Sequence, residues 1–588
     1  MRISNTFYGR KFRSMLLVSS FTMVAEIAVM LICKVIAGNM LGESALAAVT
    51  TTTPLFTFVL FVAACIANGT TLCFATAVGE MKPDKAAEHF GQGCLLAGAS
   101  GIVLFLVFAL FRNTLFSLIG MPASLMELVD PFYNWLLCVV LVLPFSYFIS
   151  ELVYADGDGK TCFSGYGLLI FFEILFSILL VPSMGIAGIS AALFFATLIS
   201  LAVLLTHFFR KKNSLHFRFH FSIRDIASVF RYSVACSSAY LCFSIFTFIL
   251  TQFFLHFCDS NSLPVLAMIF EVIELGSIFG GIWLAAEPLI SVYRGEGNLL
   301  GVQNVMRHVN GAILKESVAM TVLLILFAPL LAKLFHIHSE NILPEAIWAV
   351  RMASIGCVAK AFLRVYAPFY QHHHPFFSMF VATMRDLFVP LAFCVILGEI
   401  YGSRGIWVGL AISPYVAFVI CLLAFFAIYG RKRFPWLLSL EKDTWHSESC
   451  EVTPQNILQM RDRIEEYLIS NRVPENIRYK VMILVEELGM LVLDSNKGRV
   501  TFAEFSVQIS QNKILCVMKD DGKLLNMTDV ELAVSNLRAY FVTSLMAYQR
   551  EKFYMLTTSY NRHVFRFDIE KNGVSGFRSL KNITLTET

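Results

Sequence analysis

The chain has 588 residues, of which 57% are hydrophobic and only 15% are charged, and Phe alone occurs 55 times. Soluble globular proteins carry about 25% charged residues, so this composition excludes an ordinary soluble protein and favours lipid as the main solvent. The net charge of +4 gives no indication of nucleic-acid binding. The 14 Cys form no CxxC pair, and three adjacent His at 372–374 cannot converge on one ion, so no metal site is expected.

Apolar runs long enough to cross a hydrocarbon core about 30 Å thick as helices recur from Ser14 to Tyr429. Because these runs are continuous and not alternating, they predict transmembrane helices and not the strands of a barrel. Twelve spans are predicted, at residues 14–37, 46–77, 93–115, 131–154, 164–182, 185–209, 228–256, 264–293, 312–335, 345–370, 377–398 and 405–429.

Basic residues are concentrated on one side of this predicted topology. Lys or Arg precede the first span and follow the second, fourth, sixth, eighth and twelfth spans. The opposite loops Asn39–Ala45 and Cys258–Ser262 contain neither. Since basic loops stay in the cytoplasm, the pattern predicts a multi-pass protein of the cytoplasmic membrane with both termini cytoplasmic.

Two short patterns recur in the membrane part at nearly the same offset. Gly79-Glu80 returns as Gly295-Glu296 after 216 residues, and the glycines and isoleucine of 185–189 return at 402–406 after 217 residues. We interpret this recurrence as a duplicated six-helix unit. Because six is an even number, the two copies have the same orientation, which predicts a twofold axis along the membrane normal.

The composition becomes mixed and charged after Pro435. Helical periodicity over Arg461–Asn471 and Pro474–Leu493 precedes strand-like runs at Phe502–Ile509 and Ile514–Met518, which predicts a soluble α/β sandwich after the all-α membrane part. The predicted domains are two six-helix bundles at 1–209 and 228–433, linkers at 210–227 and 434–444, the soluble domain at 445–570 and a tail at 571–588.

Several segments of the membrane part resemble multidrug and toxic compound extrusion (MATE) transporters. In chain order they are Leu41–Val49, Gly79-Glu80 with Asp84, Ala155–Thr161, Met184–Gly188 and Ala286–Ser291. The resemblance implies a secondary active antiporter, not an enzyme, that exports small organic or cationic compounds with H⁺ or Na⁺ as coupling ion. A lipid-linked substrate flippase and a membrane sensor that signals through the soluble domain are the alternatives.

Two segments of the soluble domain resemble histidine-kinase-like (GHKL) ATPases of the anti-sigma-factor type. Val485–Leu488 is similar to their first acidic box and Lys519–Lys523 to their adenine-binding D-x-G box, which implies nucleotide-binding roles for Glu487, Asp520 and Gly522. Leu491 replaces the magnesium-binding Asn, and the lid region 534–545 contains no Gly. We therefore expect no ATP turnover, and either nucleotide binding without turnover or a regulatory contact with a cytoplasmic partner.

Four carboxylates lie deep inside predicted spans: Glu26, Glu173, Glu271 and Glu274. A charge at that depth is costly and faces a cavity or a partner, so these residues are candidate binding sites for substrate or coupling cation. Glu271 and Glu274 are three residues apart and share a helix face. The alternative is a set of structural ion pairs, for which basic partners are present at Lys34, Lys360, Arg364 and Arg385.

The N-terminal half departs from the MATE pattern at its coupling site. Cys33 aligns with the family's usual helix-one Asp, and Glu173 and Ser177 align with an Asn and Asp of helix five. A thiol is a poor carrier of protons or sodium. The coupling ion is therefore open at this point, and so is an uncoupled mechanism.

Overall fold

A computed structural model describes residues 6–80, 82–118, 123–210, 213–219, 222–257, 263–334, 342–371, 374–431, 445–510, 513–523, 525, 537–547 and 560–568. The chain divides into two compact units, one built mainly on Tyr8–Glu441 and one built mainly on Lys442–Leu556 and Tyr560–Thr588. The first, here called the membrane unit, is mostly helical, and its described residues 213–219 are extended. The second, the C-terminal unit, combines helices with a small sheet.

The first half of the membrane unit consists of long apolar helices joined by short turns. They are α1 (Phe7–Ile36), α2 (Glu43–Gly79), α3 (Pro83–Leu110), α4 (Arg112–Leu118), α5 (Ala123–Ala155), α6 (Gly159–Met184) and α7 (Ala187–Leu205). Pro83 occupies the start of α3, where the missing amide proton costs nothing. Asp158 caps α6, because its carboxylate accepts the amide of Thr161.

The second half contains more interruptions. Its helices are α8 (Ile223–Phe257), α9 (Leu263–Glu274), α10 (Gly280–Gly295), α11 (Leu299–Leu334), α12 (Leu343–Ile355), α13 (Cys357–Gln371), α14 (Pro375–Thr383), α15 (Val389–Tyr401) and α16 (Ser403–Tyr429). A 3₁₀ turn at Leu275–Phe279 connects α9 to α10, and a π turn at Met384–Phe388 connects α14 to α15. Such breaks free backbone groups inside the helix bundle and are typical of functional positions.

Ten helices of the described chain are long and apolar enough to cross a membrane, and the pair α12 and α13, bent by 44°, adds an eleventh if it is one span. The protein is therefore a multi-pass membrane protein. The predicted seventh span corresponds to α8, of which only Ser237–Leu250 qualifies as a shorter apolar helix. The predicted number of twelve spans is thus not confirmed.

The turns before α7 and α16 have the same geometry, as expected for a repeat. Gly185 and Gly402 have φ of 61° and 63°, and each amide bonds to the carbonyl four residues earlier. A side chain at Gly188 or Gly405 would collide with the backbone of the preceding helix, at 2.6 Å and 1.8 Å. The glycines found in the sequence therefore have the same role in both halves. They allow a turn with positive φ and a close approach to the preceding helix, which only Gly permits.

The C-terminal unit has a four-stranded antiparallel sheet in the order β1-β2-β3-β4. Its elements are β1 (Trp445–Glu451), α17 (Pro454–Ser470), α18 (Glu475–Ser495), β2 (Phe502–Ile509), β3 (Lys513–Asp520), α19 (Leu537–Ala547) and β4 (Asn561–Asp568). Leu484 and Leu488 of α18 share one core with Phe505 of β2 and Met518 of β3. The expected helical start was wrong, because β1 precedes α17 and pairs with β2.

Candidate functional site

A buried carboxyl lies inside the first half. Glu173 faces inward from α6, and the thiol of Cys33 in α1 donates a hydrogen bond to its Oε1 at an S–O distance of 3.2 Å. Both side chains are buried, as is Ser177 one turn later on the same face. The other oxygen of Glu173 has no hydrogen-bond partner among the described residues. An acid with one unsatisfied oxygen in an apolar interior is a candidate for proton binding.

The predicted acid pair of α9 lies next to the first half. Glu271 Oε1 is 2.6 Å from Lys34 Nζ of α1, so this ion pair connects the two halves. Glu274 interacts electrostatically with Glu271, Lys34, Lys360 and Arg364. The sequence left two interpretations of these acids, a binding site or a structural ion pair. At Glu271 an ion pair is present. The side chain of Glu26 lies outside the described residues.

A group of cations surrounds one acid in the second half. Arg385 donates two hydrogen bonds to Asp386 and a third, of 3.2 Å, to the carbonyl of Leu363. Arg364 lies 4.0 Å from the same carboxylate. Lys360 donates to the carbonyl of Ile273 at 3.3 Å. The sequence indicates the three basic residues as partners of buried acids, but it does not indicate Asp386, the acid that two of them contact.

A cavity of about 90 Å³ lies between the two halves. The first half contributes Met23, Asn68, Tyr147 and Glu151, and the second half contributes Tyr240, Trp283, Glu287, Arg364 and Arg385. Both acids are buried. The cavity therefore combines two carboxylates and three aromatic rings with two guanidinium groups.

Neither acid of this cavity is among the site residues predicted from the sequence. Glu287 lies in the MATE-like segment Ala286–Ser291. Glu151 lies five residues before Asp156 of the MATE-like segment Ala155–Thr161. Each is an acid within an apolar helix, which is the signal that identified the other candidates. Of the predicted acids with described side chains, none of Glu173, Glu271 and Glu274 lines this cavity.

A second charged cluster occupies the turn between α5 and α6. His207 lies between two carboxylates, with Nε2 2.9 Å from Asp156 and Nδ1 2.9 Å from Asp158. Burial raises the pKa of Asp156, although hydrogen bonds from His207 and Ser214 oppose this. Burial alone would also raise the pKa of Asp158. Hydrogen bonds from His207 and Thr161 and the charge of Arg210 instead hold that pKa below its ordinary value.

In the C-terminal unit, the predicted nucleotide residues are engaged by other parts of the domain. Arg538 of α19 lies 2.9 Å from Glu487 and 3.6 Å from Asp494, both on α18. Leu491 is buried in the core. These contacts neutralise the acidic box and leave no polar group at the position of the magnesium ligand.

The D-x-G turn is held by its own hydrogen bonds. Asp520 Oδ1 accepts from the amide of Gly522 at 3.0 Å and from the side chain of Asn561 at 2.8 Å. A Cβ at Gly522 would lie 2.4 Å from Asn496, so Gly is required for this close approach. Whether Glu487 and Asp520 face a common pocket stays a prediction.

Residues 19–180 match the MatE family model. Over 189 residues the chain is 26% identical to the probable multidrug resistance protein YoeA of Bacillus subtilis (strain 168). The matched region covers 31% of this chain. The chain spans 40% of the length of that curated relative. A solved multidrug resistance MATE family transporter of the MOP superfamily, in an outward-facing conformation, is 20% identical with a TM-score of 0.66. That match covers 72% of this chain and 96% of the other.

The membrane unit has the MATE transporter fold. A second solved structure, a MOP superfamily transporter from Pyrococcus furiosus, matches at 20% identity and a TM-score of 0.66 over 74% of this chain and 98% of its own. The predicted transport role agrees with the names of these matches, and the coupling ion stays a prediction. The two matched structures leave more than a quarter of this chain uncovered.

Proposed function

We propose that the protein is a proton-coupled antiporter that exports small organic cations across the cytoplasmic membrane. The observation that carries the proposal is the cavity between the two halves of a MATE fold, lined by Glu151 and Glu287. A site at the boundary of two halves can be opened to either side by a movement of one half against the other. The two carboxylates supply the charge that a cation requires.

The aromatic lining supports an organic cation over a metal ion. Tyr147, Tyr240 and Trp283 surround the cavity together with the two acids. A cation over an aromatic ring gains about 1 kcal/mol or more when it is desolvated. A flat, singly charged drug would therefore use both the ring faces and the carboxylates.

Proton coupling at Glu173 is supported by its surroundings. Hard cations bind through several oxygen ligands, and a soft thiol is a poor substitute. The hydrogen bond described for Glu173 comes from the thiol of Cys33. A proton needs only the carboxylate itself, so H⁺ fits this environment better than Na⁺. We propose that Glu173 carries the coupling proton and that Glu271 and Glu274 respond to it through Lys34.

An organic anion is a second candidate substrate, because Arg364 and Arg385 line the same cavity. The Pyrococcus furiosus relative is described as having a binding pocket of reverse polarity that suggests a different function. A lipid-linked substrate is less well supported, since the cavity holds two carboxylates.

We propose that the C-terminal unit is a GHKL-like regulatory domain without ATP turnover. Its support is the pairing of Glu487 with Arg538 and the burial of Leu491. Such a domain would act by contact with the cytoplasmic loops or with a partner.

The basic-loop pattern supports cytoplasmic termini, and reporters fused at Thr588 and inserted at Asn261 should then report opposite sides of the membrane.

The central experiment uses the full chain in proteoliposomes loaded with a fluorescent organic cation. An imposed pH gradient should drive its movement, whereas a sodium gradient at constant pH should not. Glu287→Gln should weaken cation binding, while Glu399→Gln, a control at an exposed position of α15, should behave as wild type. Transport of an organic anion but of no cation would contradict the first candidate and support the second.

A further inference from the structure

The segment between α7 and α8 is tied to the first half at its beginning. Arg210 Nη1 lies 2.7 Å from the carboxylate of Asp158. Ser214 bonds to Asp156 through its hydroxyl and, at 3.3 Å, through its amide. The same two carboxylates hold His207. The start of this connection is therefore fixed to the turn between α5 and α6.

The segment is also tied to α3 further along the chain. Arg218 Nη1 lies 2.9 Å from Asp84, and its Nε lies 3.6 Å from Glu88. Gln92 donates to the carbonyl of Ser222 at 2.8 Å. A side chain at Gly91 would collide with the carbonyl of Arg218 at 2.1 Å, so the backbone lies directly against α3. Residues 213–219 thus form an extended strap across the ends of these helices.

The strap carries two aromatic rings that are exposed in the described part of the chain. Leu215 is buried, whereas Phe217 and Phe219, which follow it at the two-residue period of extended chain, are 58% and 73% exposed. The polar edge between them carries His216 and Arg218, and Arg218 is the residue bonded to α3. The apolar edge therefore faces away from the acids of α3.

Exposed apolar side chains lie at both ends of the strap. Phe209, the last residue of the span Ala187–Phe209, is 89% exposed, and Ile223, the first residue of α8, is 77% exposed. Basic residues flank the rings, with Arg210 and the sequence pair Lys211-Lys212 before them and Arg224 after them. Aromatic rings and basic side chains together are characteristic of segments that lie in the headgroup region.

We propose that the strap is a binding surface for anionic phospholipid, with Phe217 and Phe219 inserted among the acyl chains near the headgroups and Arg224 against lipid phosphate. Anionic lipid attracts each basic side chain near the surface. The ion pairs to Asp84 and Asp158 keep the strap in place, so the rings enter the bilayer without a large ordering cost. This inference concerns the membrane surface and is independent of the transported substrate.

The test places a benzophenone amino acid at Phe219 or, separately, at Phe217 in the full chain. The protein is reconstituted in nanodiscs of phosphatidylcholine with one quarter phosphatidylglycerol and irradiated, and adducts are identified by mass. We expect phospholipid adducts at both positions, with phosphatidylglycerol enriched over its share. Arg224→Gln should lower the ratio of phosphatidylglycerol to phosphatidylcholine adducts by about fivefold. Tyr479, an exposed residue of the C-terminal unit, is the matched control position and should give no lipid adduct.

Two outcomes would overturn the proposal. Adducts to protein in place of lipid would show that the apolar edge is a contact with another part of the chain or with a second copy. Phosphatidylglycerol adducts in simple proportion to abundance, unchanged by Arg224→Gln, would remove the preference for anionic lipid. The two probe positions make the result independent of whether one variant folds poorly.

Discussion

Lys34 in α1 and Glu271 in α9 form an ion pair with an Nζ–Oε1 distance of 2.6 Å, and this pair joins the first half of the membrane unit to the second. The side chains are only 15% and 24% exposed. A movement that separates α1 from α9 must break the pair. It therefore stabilises the present arrangement of the two halves relative to one in which they part here.

Charge reversal tests this contact. Lys34→Met and Glu271→Gln should each impair export, because each leaves a partly buried charge without its partner. The exchanged variant Lys34→Glu with Glu271→Lys should recover part of the activity. A double-mutant cycle of Lys34→Met, Glu271→Gln and their combination, measured by thermal unfolding, should give a coupling energy of about 1 kcal/mol. Lys315→Met, at an exposed position of α11, is the control, and additive effects of the two single variants would refute the coupling.

Glu173→Gln should abolish movement of the organic cation driven by a pH gradient, because the amide cannot carry a proton. Exchange of the cation without a gradient should persist, since Glu173 does not line the cavity between the halves. Cys33→Ala should shift the pH dependence of export without abolishing it, because it removes the thiol hydrogen bond and leaves the carboxyl. Full proton-driven export by Glu173→Gln would exclude it as the proton carrier.

Trp283→Leu should weaken binding of an aromatic cation about fivefold, since one cation–π contact contributes about 1 kcal/mol. Trp135→Leu is the matched control. Trp135 packs against Phe194 and Phe195 in the first half and does not line the cavity. Equilibrium binding of a fluorescent cation to the purified chain measures the difference, and equal losses in both variants would indicate a general effect on folding.

Asp158→Asn should destabilise the membrane unit by about 2 kcal/mol at neutral pH, because hydrogen bonds to a charged group are lost while the Asn still caps α6. The pKa of Asp158 is lowered in the folded protein, so its contribution is present above the unfolded pKa of about 3.9 and disappears as the pH falls through the folded value. Thermal unfolding in detergent should show that the difference in stability between variant and wild type becomes smaller below about pH 4. A difference that is constant down to pH 3 would contradict this assignment.

The purified full chain should not hydrolyse magnesium-ATP. Arg538 neutralises Glu487 and Asp494, and Leu491 offers no ligand to magnesium. Arg538→Ala should free the two acids without creating activity, because the magnesium ligand is still missing. Phosphate release above that of a buffer blank in either protein would overturn the proposal of a domain without turnover.

Much of the fold was predictable because it depends on local properties of the chain. Long apolar runs form helices in lipid since every backbone group is then bonded within the segment, and the predicted limits of β2 agree with the structure. The broken helices of the second half were not predictable. Gly276, Gly280 and Gly281 weaken the helix within the apolar run 264–293, but they do not by themselves fix the break as a 3₁₀ turn at Leu275–Phe279.

The sequence by itself determined the helical membrane part and the duplicated glycine turns at Gly185 and Gly402. It indicated some of the acids inside apolar helices, but not Glu151, Glu287 or Asp386. The tertiary structure decided the partner of each charge. Cys33 and Glu173 are 140 residues apart, and Lys34 and Glu271 are 237 residues apart. Periodicity and composition describe neighbours within a few turns of helix. The energy of a buried charge depends instead on groups brought within a few ångströms by packing between distant helices.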